Sequence, residues 1–137
     1  MAKLEAILTQ WAPRILSILR IMTALLYIQH GTQKLFGFPE SARVMGELSP
    51  LTLTAGLLEA GGGALFAIGL FTRPVAFILC GMMAVAYFMA HAPRGFFPIN
   101  NGGDLAILFC FVFLYFVFAG GGAWSADNVI AKKKTAG

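Results

Sequence analysis

Residues 15–40 read ILSILRIMTALLYIQHGTQKLFGFPE, and whether this stretch lies in water or in lipid decides the fold. It opens as an apolar run, then takes on Tyr27, Gln29, His30, Gln33 and Lys34 before Gly37 and Pro39 break it. A soluble core helix excludes an imidazole and an ammonium, and a soluble surface helix is not so apolar on its other faces. The remainder of the chain settles the solvent. Of 137 residues, 58% are hydrophobic and only 12% charged, and the mean hydropathy is +0.78. A soluble domain carries about twice that share of charge. Lipid is therefore the solvent for most of the chain.

A helix that crosses a bilayer needs ~20 mostly apolar residues. Four segments meet or approach this: Ile15 to Leu35, Leu51 to Leu70, Pro74 to His91, and a shorter one, Asp104 to Ala119, with room to extend into the glycines that follow. Pro13 and Pro74 fall near expected helix starts, where a missing N–H costs nothing. Pro50 precedes the second segment, Gly102 and Gly103 precede the fourth, and Gly120 to Gly122 follow it. The link Phe71-Thr72-Arg73 is so short that the second and third segments must be antiparallel neighbours. The sequence predicts an all-α integral membrane bundle of four antiparallel transmembrane helices, a single domain over residues 1–137. The first hydrophobic stretch is too long for a signal peptide and no small-residue cleavage site follows it, so it reads as a retained span.

Lys and Arg in short flanks orient such a bundle. With the N-terminus inside, Lys3, Arg14, Arg73, Lys132, Lys133 and Lys134 lie on the cytoplasmic side, against Lys34, Arg43 and Arg94 on the other. Both termini are predicted cytoplasmic, with the final lysines beside anionic headgroups. The outer connections would be a short amphipathic helix near Ser41 to Leu48 and an interfacial plug, APRGFFPINNGG, over residues 92–103.

Other chemistries lack their signatures. The basic residues form no aromatic-basic stripe for nucleic acid. Cys80 and Cys110 sit in separate apolar runs, with no CxxC, zinc, haem-attachment or iron–sulfur spacing, and read as packing residues. The glycines of EAGGG lie inside a predicted span with no preceding strand, which fits close helix packing rather than phosphate binding.

Residues spaced three and four apart share a helix face. Arg20, Thr23, Tyr27, His30 and Lys34 form one stripe, from which Gln29 points away. Thr52, Gly56, Glu59, Gly63 and Phe66 form a second; Cys80, Ala84, Tyr87 and His91 a third; Asp104, Phe111, Tyr115 and Phe118 a fourth. A charge facing lipid costs ~3 kcal/mol or more at the bilayer centre, so all four stripes are expected to turn inward. At ~1.5 Å per residue, Glu59 falls near the midplane and Arg20 a turn or two toward the cytoplasm, which makes them candidates for a buried ion pair or a relay through the bundle. His30, Lys34, His91, Asn100, Asn101 and Asp104 gather toward the outer end. Lys34 there either snorkels to headgroups or pairs with Asp104.

The ordered set Arg20, YIQHGTQKLFGF, LLEAGGGALFAIGLFTRPVA, AYFMAHAPRGFFPINNGGDLAILF and AGGGAWSADN resembles the DoxX family of small four-span membrane proteins, from about Arg14 to Asn128. Asp104 stands where that family has an acidic residue, often Glu. The family takes its name from a subunit of an archaeal membrane oxidoreductase that passes electrons from thiosulfate to quinone. Other members are described as membrane partners of oxidoreductase or detoxification systems. The resemblance implies a subunit or partner in quinone-linked oxidoreduction in a bacterial inner membrane, with the bilayer and a redox partner protein as its contacts. His30, His91 and Asp104 would then bind a quinone headgroup or exchange protons with it. Tyr27, Lys34, Tyr87, Asn100 and Asn101 would complete the pocket. The competing reading is a polar plug that satisfies helix ends, and a metal triad of the same residues has no supporting spacing. The chain carries no cofactor motif, so electrons would pass through bound quinone or a partner; whether it is itself an enzyme stays open. The alternative function is a non-enzymatic membrane scaffold for a redox or detoxification partner. A transporter would need an internal repeat, which is not evident, or a homo-oligomer, which the sequence permits.

Overall fold

The computed structural model describes residues 1–40 and 49–135, and every regular element among them is helical. The helix expected near Ser41 to Leu48 lies outside the described residues. Helix α1 runs from Ala2 to Phe36, α2 from Pro50 to Ile68 and α3 from Thr72 to Arg94. A single turn, α4 (Pro98–Asn101), leads into α5 (Asp104–Ala119), and α6 (Ala126–Thr135) ends the fold. The first three are long and apolar enough to cross a membrane, and the protein is a helical membrane bundle. Helix α5 is apolar throughout but has 16 residues, roughly 24 Å at 1.5 Å per residue. It does not extend into the glycines, because Gly120 turns to φ 75° and ends it.

Helix α1 begins much earlier than the apolar pattern suggests. Its 35 residues reach roughly 52 Å, against ~30 Å of bilayer hydrocarbon. Pro13 therefore lies inside the helix rather than at its start. The Pro13 carbonyl gains partners beyond the helix ladder, accepting from the Ser17 hydroxyl at 3.0 Å and the Ala123 amide at 3.0 Å. Gly37 closes α1 in the left-handed conformation, φ 67°, its N–H returning to Gln33. Ser49 caps α2 by accepting from the Thr52 amide, with Pro50 in the first turn.

Helix α1 packs chiefly along α2, and α3 along α5. Between the two pairs lies a core of Ala24, Tyr27, Phe66, Leu79, Met83, Phe109, Phe113 and Phe116. Phe109 and Phe113 stack near-parallel, while other rings meet edge to face, Tyr27 on Phe113 at 4.9 Å and Phe66 on Phe116 at 5.0 Å between centroids. Such pairs add about 0.5–1.5 kcal/mol beyond area burial. The inward face of α5 is Ala106, Phe109, Phe113 and Phe116, which corrects the expected stripe. Asp104, Phe111, Tyr115 and Phe118 are exposed. In a helix this apolar no polar periodicity selects the buried face, so close packing of Phe against Phe decides it.

Candidate functional site

One end of the bundle, opposite the chain termini, holds a cavity of about 390 Å³ lined by Tyr27, His30, Gln33, Lys34, Glu59, Met83, His91, Arg94 and Phe109 among others. Its construction starts from a glycine. A Cβ at Gly31 would lie 2.5 Å from the Ala60 nitrogen and 2.9 Å from the Glu59 Cβ, so only glycine lets α2 come this close. Gly56 and Gly63 repeat the device on the other side, against Leu35 and Ile28. Glu59 is thereby pressed against α1, one turn from Lys34.

The α-helical ladder is interrupted at two places beside this cavity. Leu58–Gly62 in α2 and Tyr87–His91 in α3 are π-helical turns, and they carry Glu59 and His91 respectively. Such single turns insert a residue into an α-helix and re-aim its side chains, frequently at functional sites.

Glu59 is 3% exposed. Its Oε1 accepts from the Lys34 ammonium, while its buried Oε2 has no partner among the described residues. His91 lies 3.2 Å through Nδ1 from the Asn101 carbonyl and stacks near-parallel on Tyr87. A carbonyl only accepts, so Nδ1 carries a proton, and in the neutral ring Nε2 is then an acceptor. His30 stands exposed at the rim, its ring edge-on to Phe109 at 6.1 Å.

The cavity gathers His30, His91, Tyr27 and Lys34 of the predicted pocket, and adds Glu59, Gln33 and Arg94. Asp104, Asn100, Asn101 and Tyr87 do not line it. Asp104 is exposed at the start of α5, where a carboxylate complements the helix N-terminus. Asn101 is buried and ties the turn before α5 together. Its amide donates to the Gly95 carbonyl at 2.8 Å, and its Oδ1 accepts from the Gly103 N–H at 2.8 Å. Arg94 belongs to the predicted plug and Gln33 to the opening stretch; neither falls on the stripe used to select candidates. Among the described residues, no three His, Cys, Asp or Glu side chains cluster as metal ligands would.

Arg20 does not pair with Glu59. Fully buried, it donates to the carbonyls of Gly121 at 2.9 Å, Phe66 at 2.6 Å, Trp124 at 2.7 Å and Ala67. A helix end leaves its last carbonyls without their usual partners; the Gly69 N–H reaches the Phe66 carbonyl at 3.1 Å, and a guanidinium with five donors adds a bond there and reaches Ala67 together with two carbonyls of the glycine loop. Lys34 is nearer to Glu59 and takes its place. The Arg20 end of the bundle, away from the cavity, is closed by Asp127, whose two carboxylate oxygens accept from the Phe71 and Thr72 amides at 2.8 Å each. Arg73 donates to the Val117 and Phe118 carbonyls, covering the end of α5.

Fold and cavity together define a helical integral membrane protein with a charged internal pocket. The DoxX family model matches residues 15–92, and the chain belongs to that family. It is 47% identical over 133 residues to a Haemophilus influenzae protein described only as uncharacterized, covering 92% of this chain and 98% of that one. It is 30% identical over 124 residues to the Escherichia coli inner membrane protein YqjF, covering 85% and 92%. No solved structure matches the chain.

Proposed function

We propose that this protein is a small bacterial inner-membrane subunit or partner of a quinone-linked oxidoreductase system, and that the cavity binds the quinone headgroup. The observation that carries this reading is the Oε2 of Glu59, a buried acceptor on the cavity wall without a partner among the described residues. A hydroquinone hydroxyl would donate to it or to Nε2 of His91. A quinone carbonyl would accept from Lys34 or from His30. Tyr27, Met83 and Phe109 supply apolar walls. Asp104, exposed and outside the cavity, has no part in this site. The inner-membrane assignment draws on the kinship with YqjF, and cytoplasmic termini on the excess of Lys and Arg beside them.

A second reading, a scaffold for a partner protein or a second copy, draws on the overhang of α1. Leu4, Ile7, Leu8 and Trp11 are 59%, 53%, 60% and 49% exposed, a row at helical spacing on the part of α1 beyond the bundle.

Titration of the purified protein in nanodiscs with a water-soluble quinone separates the two. His30→Ala and His91→Ala should each weaken binding up to roughly a hundredfold, the equivalent of ~1–3 kcal/mol for a lost buried hydrogen bond. Gln29→Ala, exposed on another face, should bind as the parent does. A parent that binds no quinone, or histidine variants that bind unchanged, would leave the scaffold reading.

A further inference from the structure

Cys80 of α3 and Cys110 of α5 are both free thiols, half-buried, with their sulfurs 3.7 Å apart. That is roughly 1.7 Å more than a disulfide bond, within the sweep of the thiol rotamers. The two helices that carry them pack along their length, so the backbone holds the sulfurs in reach. Neither thiol lines the cavity, but Cys80 is one helical turn from Met83 and Cys110 adjoins Phe109, and both Met83 and Phe109 do. Their other neighbours Phe77, Ile78 and Phe111 are 68%, 53% and 64% exposed toward lipid, and a Cβ on Gly81 would meet nothing.

We infer that Cys80 and Cys110 are a dithiol–disulfide couple that reduces a lipid-soluble quinone. This rests on the quinone reading above and supplies a two-electron centre for it. The step balances within the two reactants. The two S–H bonds break, one S–S bond forms, and two electrons and two protons pass to the quinone oxygens to give the hydroquinone.

The test uses the full chain in nanodiscs, reduced, freed of reductant and kept under argon. The oxidant is duroquinone, whose fully substituted ring cannot add to a thiol. The parent should lose two hydrogens in intact mass, lose both maleimide-reactive thiols, remain monomeric on a non-reducing gel and yield one hydroquinone per chain. Cys80→Ser and Cys110→Ser should each keep their mass and yield none. Duroquinone binding is titrated on the same samples. A parent that binds duroquinone yet keeps both thiols overturns this inference and leaves the quinone site standing. A parent that neither binds nor oxidises overturns both. Hydroquinone from either serine variant, or a disulfide between chains, also overturns it.

Discussion

Glu59 and Lys34 form the one ion pair inside the described bundle, and it is lopsided: the carboxylate side chain is 4% exposed and the ammonium side chain 36%. Breaking a buried pair from one side costs about 3–5 kcal/mol, because the remaining charge is stranded. Lys34→Met should therefore lower unfolding stability by about that much, and adding Glu59→Leu should recover most of it; a double variant as unstable as the sum of the singles contradicts the pair. The second residue-scale expectation concerns pH. Burial pushes the Asp127 carboxyl up, but the Thr72 and Phe71 amides and the nearby Arg20 guanidinium outweigh it and hold the group below its ordinary value of 3.8. A depressed folded-state pKa contributes stability that is fully present above the unfolded value and is lost as pH falls through the folded one. Thermal melts should thus show the parent losing stability below about pH 4, the ordinary aspartate range. Asp127→Asn should be less stable at neutral pH and show a shallower loss there. Equal slopes for the two proteins would mean that the clamp contributes nothing. That Arg20, Thr23, Tyr27 and Glu59 would be interior was legible from their stripes, whereas Asp104 and Tyr115 of the fourth stripe are exposed. Which one met which was not: Arg20 found carbonyls on α2 and the glycine loop, partners that side-chain identities do not advertise.

Helix faces were legible in proportion to their contrast. On α2, Gly56, Glu59, Gly63 and Phe66 recur at helical spacing, and all are buried as the sequence implies. On α5 nearly every residue is apolar, the pattern has no phase, and Tyr115 misdirected the choice of face by being the polar tip among phenylalanines. The π turns at Leu58–Gly62 and Tyr87–His91 have no sequence signature at all, yet they aim the two groups on which the site depends. The close crossing of α1 and α2 gives the element-scale prediction. Gly31→Ala drives a methyl into the Ala60 backbone and should cost about 1–3 kcal/mol as overpacking. Gly61→Ala, whose Cβ would meet nothing, should be neutral or stabilising by up to about 1 kcal/mol through helix propensity. Melting temperatures of the two variants check this, and equal losses would mean that the crossing is looser than these distances imply.

The whole molecule has two unlike ends. At one, Arg20 ties the end of α2 to the loop around Gly121, Arg73 covers the last carbonyls of α5 and Asp127 accepts from the amides that open α3, in a cap whose residues act on backbone. At the other, Lys34, Glu59, His30, His91 and Arg94 surround a cavity. The termini share the first end, since the Ala123 amide donates to Pro13 and Asp127 to Gly69. A reporter fused after Gly137 should therefore give a cytoplasmic signal, following the Lys and Arg excess at that end; a periplasmic signal would turn the cavity toward the cytoplasm. The bundle and its family were legible from composition and motif order, because lipid leaves few ways to satisfy a backbone. The cavity's membership was legible only in part, because Arg94 and Gln33 reach it from a loop-side helix end and from off the stripe. The proposed occupant of this cavity is a quinone headgroup. Photolabelling the protein in nanodiscs with an azido-quinone and mapping the adducts by peptide mass spectrometry tests it most directly. Adducts should fall within residues 27–34 and 83–94 and be displaced by unlabelled quinone. Adducts scattered over lipid-facing positions such as Phe77, Phe111 and Phe118, undiminished by competitor, would contradict it.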